Sequence, residues 1–464
     1  MNLSGKKVAV LGYGVVGRAS LKYAVQEDAF VTLYDNKVYE DFSMEDIKSL
    51  EKSKVQLKLG SVDFQRLDEF DVIISSPGID PKQECIANAV EAGVKLYTDI
   101  SLFLEIWSGN GPVIGVTGSN GKSTTVSLID EALRSEGRET RLGGNIGVSP
   151  LSWLVDGEEI MYGTYIVLEL SSYALEYFED NHYVDILVFT SFSENHLSRH
   201  NNDMVEYAEM KCRAAKIGET KIIFSIDDRM MDKYIVPLIK DFDLITVTLE
   251  QNILNKNHLF ISDNTLSYRN EKGDTEVVFS DVDDRKMRGV HSLYNIAYTL
   301  IVLKQLDVSI RNAEDSIRNY PGLPHRIQFV RELDNVSYYN DSKSTSPDAT
   351  IKALDTVGDQ KNVVLIAGGV DKGVSYATWN DSLNQFVKHV IILPGPAEEK
   401  LESLAEVVGV ETLTVLGMDE AVKKARELSK EGDVVLLSPG AASLNLWNSF
   451  EERGDEFSNI VGWL

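Results

Sequence analysis

The segment Gly115-Val-Thr-Gly-Ser-Asn-Gly-Lys-Ser-Thr124 constrains the fold more than any other part of the chain. It follows the apolar stub Pro112-Val-Ile and precedes Thr125-Val-Ser-Leu-Ile-Asp-Glu-Ala-Leu, whose apolar spacing predicts an amphipathic helix. A strand, a glycine-rich turn and a helix in that order make a phosphate cradle. The turn aims backbone N–H groups, and the helix its positive end, at one anion. Lys122 adds a cation beside the terminal phosphates, and the Ser123 hydroxyl suits Mg²⁺. The generic loop, G-x-x-x-x-G-K-[ST], needs a glycine at position 116, where this chain has Val116. The usable glycine is Gly118, which gives the narrower pattern T-G-x-N-G-K-S.

Length and charge bound the rest. A chain of 464 residues should hold two to four domains with ample core in each. A formal charge of −26 excludes wrapping a nucleic-acid backbone, which needs a basic face. Any polyanionic ligand must therefore be held by local lysines, arginines and helix N-termini rather than by the overall field. Cys85 and Cys212 stand far apart with no metal-ligand spacing, so a structural zinc site is not expected and a reducing compartment is. The N-terminus enters the strand-like Lys6-Lys-Val-Ala-Val-Leu11 without a signal segment, and no apolar run reaches the ~18 residues needed to span a bilayer. A cytoplasmic protein is expected.

Strand-like runs at Val8–Leu11, Val31–Tyr34, Val72–Ser75, Tyr165–Leu170, Ile186–Thr190, Lys221–Phe224, Val363–Ala367, His389–Leu393 and Val434–Ser438 alternate with helix-like stretches. That alternation predicts an α/β protein with mostly parallel sheets. Ser108-Gly-Asn-Gly-Pro112 reads as a linker and Tyr320-Pro-Gly-Leu-Pro-His-Arg326 as a hinge. Three domains are expected, over 1–100, 101–322 and 323–464.

In the first, Gly12-Tyr-Gly14-Val15-Val16-Gly17 follows a strand and opens a helix, with Asp35 at the end of the next strand. This is the dinucleotide fingerprint, and alone it suggests a dehydrogenase. The same geometry holds any diphosphate on a helix N-terminus, and an aspartate equally accepts the N3–H of uracil. Gly78, in Ser75-Ser-Pro-Gly78, supplies a further backbone wall. In the second domain Glu169 ends a strand, where open α/β sheets place ligands, and is a natural Mg²⁺ partner for Ser123.

Together these residues resemble the Mur ligases of peptidoglycan precursor synthesis. Thr117-Gly-Ser-Asn-Gly-Lys-Ser-Thr124 matches that family's ATP loop. Gly143-Gly-Asn-Ile-Gly147, Leu168-Glu-Leu-Ser-Ser-Tyr173, His196 with Lys211 fifteen residues on, and Gly322-Leu-Pro-His-Arg326 follow in the family's order. So do Asn340-Asp-Ser-Lys-Ser-Thr345, Gly368-Gly-Val-Asp-Lys372, Leu437-Ser-Pro-Gly-Ala-Ala-Ser443 and Phe450-Glu-Glu-Arg-Gly-Asp-Glu-Phe457. The resemblance covers essentially the whole chain. It is closest to the members that add glutamate to UDP-N-acetylmuramoyl-L-alanine.

The resemblance implies a Rossmann-like UDP-binding domain, a central P-loop ATPase-type domain and a C-terminal Rossmann-like domain. It also implies an ATP-dependent amide ligase working through an acyl phosphate, which serves cell-wall synthesis and, through it, cell shape and division. Gly118, Ser119, Asn120, Gly121, Lys122, Ser123, Thr124 and Thr125 would hold the ATP phosphates, with Asn295, Arg326 and Asp341 as further adenosine and phosphate contacts. Ser123 and Glu169 would bind one Mg²⁺; His196 and Lys211, the latter carbamylated, would bind a second. Gly14, Val15, Val16, Asp35, Gly78 and Asn145 look like the UDP-sugar side. Thr345, Lys372, Ser443 and Phe450 resemble the glutamate pocket, with Lys343 also near the transferred phosphate. A monomer is expected.

The chain departs from the family's common pattern at Asn195, at Tyr173 and Ala174, at Ser292 and at Asn445. Retuned metal binding is expected rather than loss of activity, because Lys122, Glu169, Lys211, Arg326 and Lys343 are all present. The pocket residues leave D- and L-glutamate both open. A catalytically weakened UDP-sugar-binding paralogue is the alternative from another class.

Overall fold

Runs such as Val363–Gly368 and Val72–Ser75 are buried along their whole length, as strands covered on both faces of a parallel sheet must be. In a computed structural model, residues 2–53, 55–60, 64, 66–155, 160–194, 197–249, 256–287, 289–371 and 376–464 are described. Among these residues three sheets form, of five, nine and six strands.

The first sheet is wholly parallel, in the order Gln56–Leu59, Phe30–Asp35, Lys7–Leu11, Val72–Ser75, Lys95–Tyr97. Chain order reverses at Lys7–Leu11, so a crevice opens beyond its C-terminal end, where Gly12 and the helix Val15–Gln26 begin. Gly17 lets that helix approach the turn closely: a Cβ there would run into the Gly12 carbonyl oxygen.

In the second sheet Val113–Thr117 lies between Tyr165–Glu169 and Ile186–Phe189, parallel to both. Thr140–Gly144 flanks one side, and Lys221–Ser225 and Asp243–Thr248 continue the other. His258–Ser262, Thr265–Arg269 and Thr275–Phe279 then extend it as an antiparallel meander. The third sheet runs Gln328–Leu333, Val336–Asn340, Val434–Leu437, Val363–Gly368, Val387–Leu393, Glu411–Thr414, antiparallel only at its first pair.

Two compact units result. One is Met1–Val282 with Tyr294–Glu314 and so contains the first two sheets; the other is Asp283–Leu293 with Asp315–Leu464. The segment 283–293 thus packs with the C-terminal residues, although it precedes the hinge-like prolines in sequence. Within the first unit the two sheets are joined by specific bonds. The Tyr177 hydroxyl donates to the Ile79 carbonyl at 2.7 Å and shares a hydrogen bond with Ser75 Oγ at 3.0 Å. Arg199 pairs with the buried Glu176 at 2.8 Å and donates to the Ile79 carbonyl at 2.8 Å. No described helix is long and apolar enough to cross a membrane.

Replacing Gly17 by Ala sets a helix-propensity gain of ~1 kcal/mol against overpacking on a backbone atom, which costs about 1–3 kcal/mol or more. The overlap with the Gly12 carbonyl cannot be relieved by a side-chain movement, so the cost wins. Thermal unfolding should show Gly17→Ala clearly destabilised, while Gly78→Ala, whose Cβ meets nothing within 4 Å, leaves the midpoint nearly unchanged.

Candidate active site

Val113–Thr117 is a buried strand, and the chain turns from it into the helix Lys122–Ser135 through residues with no room for side chains. Gly118 has φ +143°, and a Cβ there would collide with Thr190 Oγ1. Gly121 has φ +86°, and its Cβ would stand 2.9 Å from Asn295 Oδ1. The loop is braced by the segment after the neighbouring strand. Ser119 N–H donates to the Ser191 carbonyl at 2.9 Å, Ser119 Oγ to the Ser193 carbonyl at 2.8 Å, and Asn120 N–H to Ser191 Oγ at 2.8 Å. Thr190 Oγ1 donates to the Asn120 carbonyl at 2.5 Å. Asn295, on the helix Val290–Gln305, accepts from Thr125 Oγ1 at 3.1 Å. Asn120 is left exposed, and Ser123 and Thr124 are partly so at the helix start, where N–H groups face outward.

Lys122 folds back over its own loop, donating to the carbonyls of Gly118 at 2.8 Å and Ser119 at 3.1 Å. Lys211 reaches the same Gly118 carbonyl at 3.1 Å from the helix Met204–Cys212, with Nζ 4.6 Å from the Tyr207 ring centre. It is 1% exposed. Burial first, and the Lys122 ammonium second, pull Lys211 well below the ordinary lysine range.

Glu169, 2% exposed, ends the strand beside the loop strand. Its Oε1 accepts from Asn145 Nδ2 at 2.9 Å, whereas its buried Oε2 has no hydrogen-bond partner. An orphaned carboxylate oxygen is costly unless a cation completes it, so this position fits a hard divalent metal ion. Among the described residues no cluster of three or more His, Cys, Asp or Glu could hold a metal by itself. His196, expected at a second metal, and Lys372, expected in the amino-acid pocket, lie outside the described residues.

In the first sheet's crevice Gly14 caps the helix that begins with Val15, which is largely exposed, and half-buried Val16. Asp35 accepts from the N–H groups of Tyr13 at 2.6 Å and Lys37 at 2.9 Å. Gly78 stands in the loop whose carbonyls Arg199 grips. Asn145, expected on the sugar side, points its amide at Glu169.

In the second unit Asp341, Lys343 and Thr345 follow the strand Val336–Asn340, and Ser443 follows its neighbour Val434–Leu437. Asp341 is buried; its carboxylate accepts from Ser344 Oγ at 2.5 Å, Ser438 Oγ at 2.7 Å and Ile327 N–H at 3.1 Å. That last bond pins Ile327 at φ +44°, a strained conformation for a β-branched residue, next to Arg326. Lys343 is exposed, with Nζ 5.7 Å from the Phe450 ring centre. Thr345 is half-buried and Ser443 buried. The bracing residues Thr190, Ser191 and Ser193 and the Arg199–Glu176 pair were not identified from sequence. Their only signal was a run of hydroxyl residues at a strand's C-terminal end, which means nothing until that strand is known to neighbour the loop strand.

Known proteins match along the whole chain. The family profile described as "Mur ligase MurD-like, N-terminal domain" matches residues 6–98, "Mur ligase middle domain" 116–303, and "Mur ligase, glutamate ligase domain" 325–440. A Clostridium botulinum UDP-N-acetylmuramoylalanine--D-glutamate ligase is 33% identical over 99% of this chain and 97% of that protein. The enzyme of that name from Thermoanaerobacter pseudethanolicus is 32% identical over 100% of both. In fold, the chain is similar to the UDP-N-acetylmuramate-alanine ligase of Thermotoga maritima, with TM-score 0.55, 15% identity and 99% of both chains covered. It is similar also to the MurF ligase of that organism solved with ADP, with TM-score 0.53, 17% identity and coverage of 99% of this chain and 96% of that one.

Burial pushes the Asp341 carboxyl up to about 6 from its ordinary 3.8, more than its hydrogen bonds pull it down. Between those values the folded chain holds a proton that the unfolded chain has lost, so stability falls as pH rises through this window. The stability difference between wild type and Asp341→Asn should therefore widen in favour of the wild type as pH falls from 7 to 4, by up to about 1.4 kcal/mol per unit. Urea midpoints at several pH values measure it, and a pH-independent difference would contradict the assignment.

Proposed function

The chain belongs to the Mur ligase family, and from that premise we propose that it joins D-glutamate to UDP-N-acetylmuramoyl-L-alanine at the expense of ATP, in the cytoplasm, as a monomer. The end-to-end match to ligases of that name carries the reading. A dehydrogenase would leave the Gly118–Ser123 loop without a task, and a folate-type ligase would leave the N-terminal diphosphate crevice without one.

The chemistry explains the residues. A carboxylate is a poor electrophile for an amine until one oxygen becomes part of a leaving group. The muramoyl-alanine carboxylate oxygen attacks the γ-phosphorus, and the bond to ADP breaks. The glutamate nitrogen then attacks the carbonyl carbon of the acyl phosphate, and inorganic phosphate leaves as the amine gives up its proton. Anion meets anion in the first step, so positive charge must be supplied at the transferred group.

We assign the UDP-sugar to residues 1–100 through Gly14, Val15, Val16, Asp35 and Gly78, with Asn145 at the muramoyl end. The central residues 101–322 take the ATP phosphates on Gly118–Thr125, with Lys122 turning from its own loop carbonyls to the phosphates. Asn295 orients the loop, and Arg326 and Asp341 serve the nucleotide. In the C-terminal part, 323–464, Lys343 serves the transferred phosphate, and Thr345, Lys372, Ser443 and Phe450 hold glutamate. Ser123 and Glu169 are the residues for one Mg²⁺, and His196 with Lys211 for a second. Bound there, the ions supply Lewis-acid neutralisation of phosphate charge.

Lys211 suits this duty only after modification. Burial favours the neutral form of its amine, and a neutral amine adds to CO₂, forming an N–C bond and losing a proton to give a carbamate. A cationic repellent thereby becomes an anionic oxygen ligand.

Phosphate release should require all three substrates, D-glutamate rather than L-glutamate, lysine or diaminopimelate. Lys122→Ala should abolish it, and wild-type turnover surviving that change would remove the loop from the mechanism. Lys211→Ala should be inactive yet partly restored by formate or acetate, which mimic the carbamate; equal rescue by chloride would argue against that role.

A further inference from the structure

Arg453, in the first turn of the helix Phe450–Trp463, is 0% exposed. Its Nε donates to Ser342 Oγ at 2.9 Å, Nη2 to the Ser342 carbonyl at 2.8 Å and Nη1 to the Ala441 carbonyl at 3.1 Å. Ser342 Oγ donates onward to the Phe450 carbonyl at 2.8 Å. All these acceptors are neutral. A buried arginine is ordinarily paired with an acid, because an unpaired charge in a low-dielectric interior is costly. Burial does pull this guanidinium down, to about 10, which still leaves it a cation at neutral pH.

The bonds converge on the loops that end three neighbouring strands. Ser342 belongs to the loop after Val336–Asn340, which carries Lys343 and Thr345. Ala441 belongs to the loop after Val434–Leu437, which carries Ser443. The loop after Val363–Gly368 lies alongside: Val370 and Ala442 exchange backbone bonds at 2.8 and 3.1 Å, and a Cβ on Gly369 would stand 3.4 Å from Arg453 Nη1. Gly440 N–H closes the set by donating to the Ser344 carbonyl at 2.9 Å.

We propose that Arg453 is a positioning residue for the amino-acid pocket, its fork fixing the loops of Lys343, Thr345 and Ser443 and its charge, which meets the Trp447 ring at 6.0 Å but no acid among the described residues, biasing that pocket toward a dicarboxylate. This rests on the assignment of glutamate to those loops. The guanidinium acts through the loops, not by touching substrate. A lysine would keep the charge but not the planar fork that reaches two carbonyls and a hydroxyl at once.

The test is steady-state phosphate release by the full chain, with ATP, UDP-N-acetylmuramoyl-L-alanine and D-glutamate varied separately. Arg453→Met should raise KM for D-glutamate about tenfold to a hundredfold, as expected for charged, buried hydrogen bonds. The other two KM values should stay within about twofold. Arg453→Lys should fall between. Ser342→Ala should raise the same KM less, and the double variant should be less than additive, because both act through one network. Unchanged glutamate KM in a folded variant, or an equal rise in all three KM values, overturns the proposal while the ligase assignment stands. If Arg453→Met does not fold, an unchanged glutamate KM in Ser342→Ala overturns it instead. A wild-type chain with no glutamate-dependent release overturns the assignment and the proposal together.

Discussion

The Gly118 carbonyl accepts from Lys122 at 2.8 Å and from Lys211 at 3.1 Å, so the two nitrogens lie no further apart than about 6 Å. Two ammonium ions at that separation repel by about 3 kcal/mol at an effective dielectric constant near 20. Lys211 pays a desolvation cost as well, whereas Lys122 is only partly buried, so the charged form is disfavoured at Lys211. The loop's shape makes this possible. Gly118 turns its carbonyl toward both lysines at φ +143°, and Thr190 fills the space a side chain would need. Brace, loop and buried lysine form one arrangement, and none of the three explains itself alone.

The C-terminal unit solves a related problem with opposite charges. Asp341 and Arg453 are both buried, and both pin the 341–345 loop, yet neither is bonded to the other. Asp341 accepts from hydroxyls and an N–H, while Arg453 donates to carbonyls and a hydroxyl. A direct ion pair would satisfy both and leave no field for a ligand. Kept apart, each orders a different side of the same loop cluster: Asp341 the strained entry at Ile327, and Arg453 the seam between the strand-end loops and the last helix.

Much of this was legible in the sequence, for reasons that can be located. The nine strands expected from apolar runs all form, because a strand buried on both faces leaves a continuous hydrophobic signature. Thr265–Arg269 and Thr275–Phe279 have no such run, since an antiparallel edge meander is partly solvated and mixes polar with apolar positions. The phosphate loop could be read because its glycines are required by backbone conformation and its lysine by charge, both local facts. Lys211 could not be read from its surroundings, because its partner is a carbonyl 93 residues away and its own helix looks like an ordinary amphipathic one. The bond from the Asn145 amide to Glu169 Oε1 has the same character, since it joins residues on neighbouring strand ends that no local pattern links.

The departures from the family's common pattern bear on whether the chain is a weakened paralogue; Asn195 lies outside the described residues, and the surroundings of Tyr173, Ala174 and Asn445 speak against that. Tyr173 puts its ring under Arg199, 5.1 Å from the guanidinium, which in turn holds the first sheet's Ile79 loop. Ala174 is buried where a longer polar side chain would need a partner, and its N–H caps onto Ser171 Oγ at 3.2 Å. Asn445 donates its amide to the Pro394 carbonyl at 2.6 Å, a bond that an ionised aspartate could not make. Tyr173 and Asn445 are thus each taken up by a side-chain contact that suits the new residue, and Ala174 leaves no polar group to satisfy. Decay of a site leaves the opposite trace: orphaned donors, and charges stranded without their former partners. The orphaned oxygen on Glu169 is of another kind, since its residue is retained and buried at a strand end where the carboxylate suits a hard divalent ion.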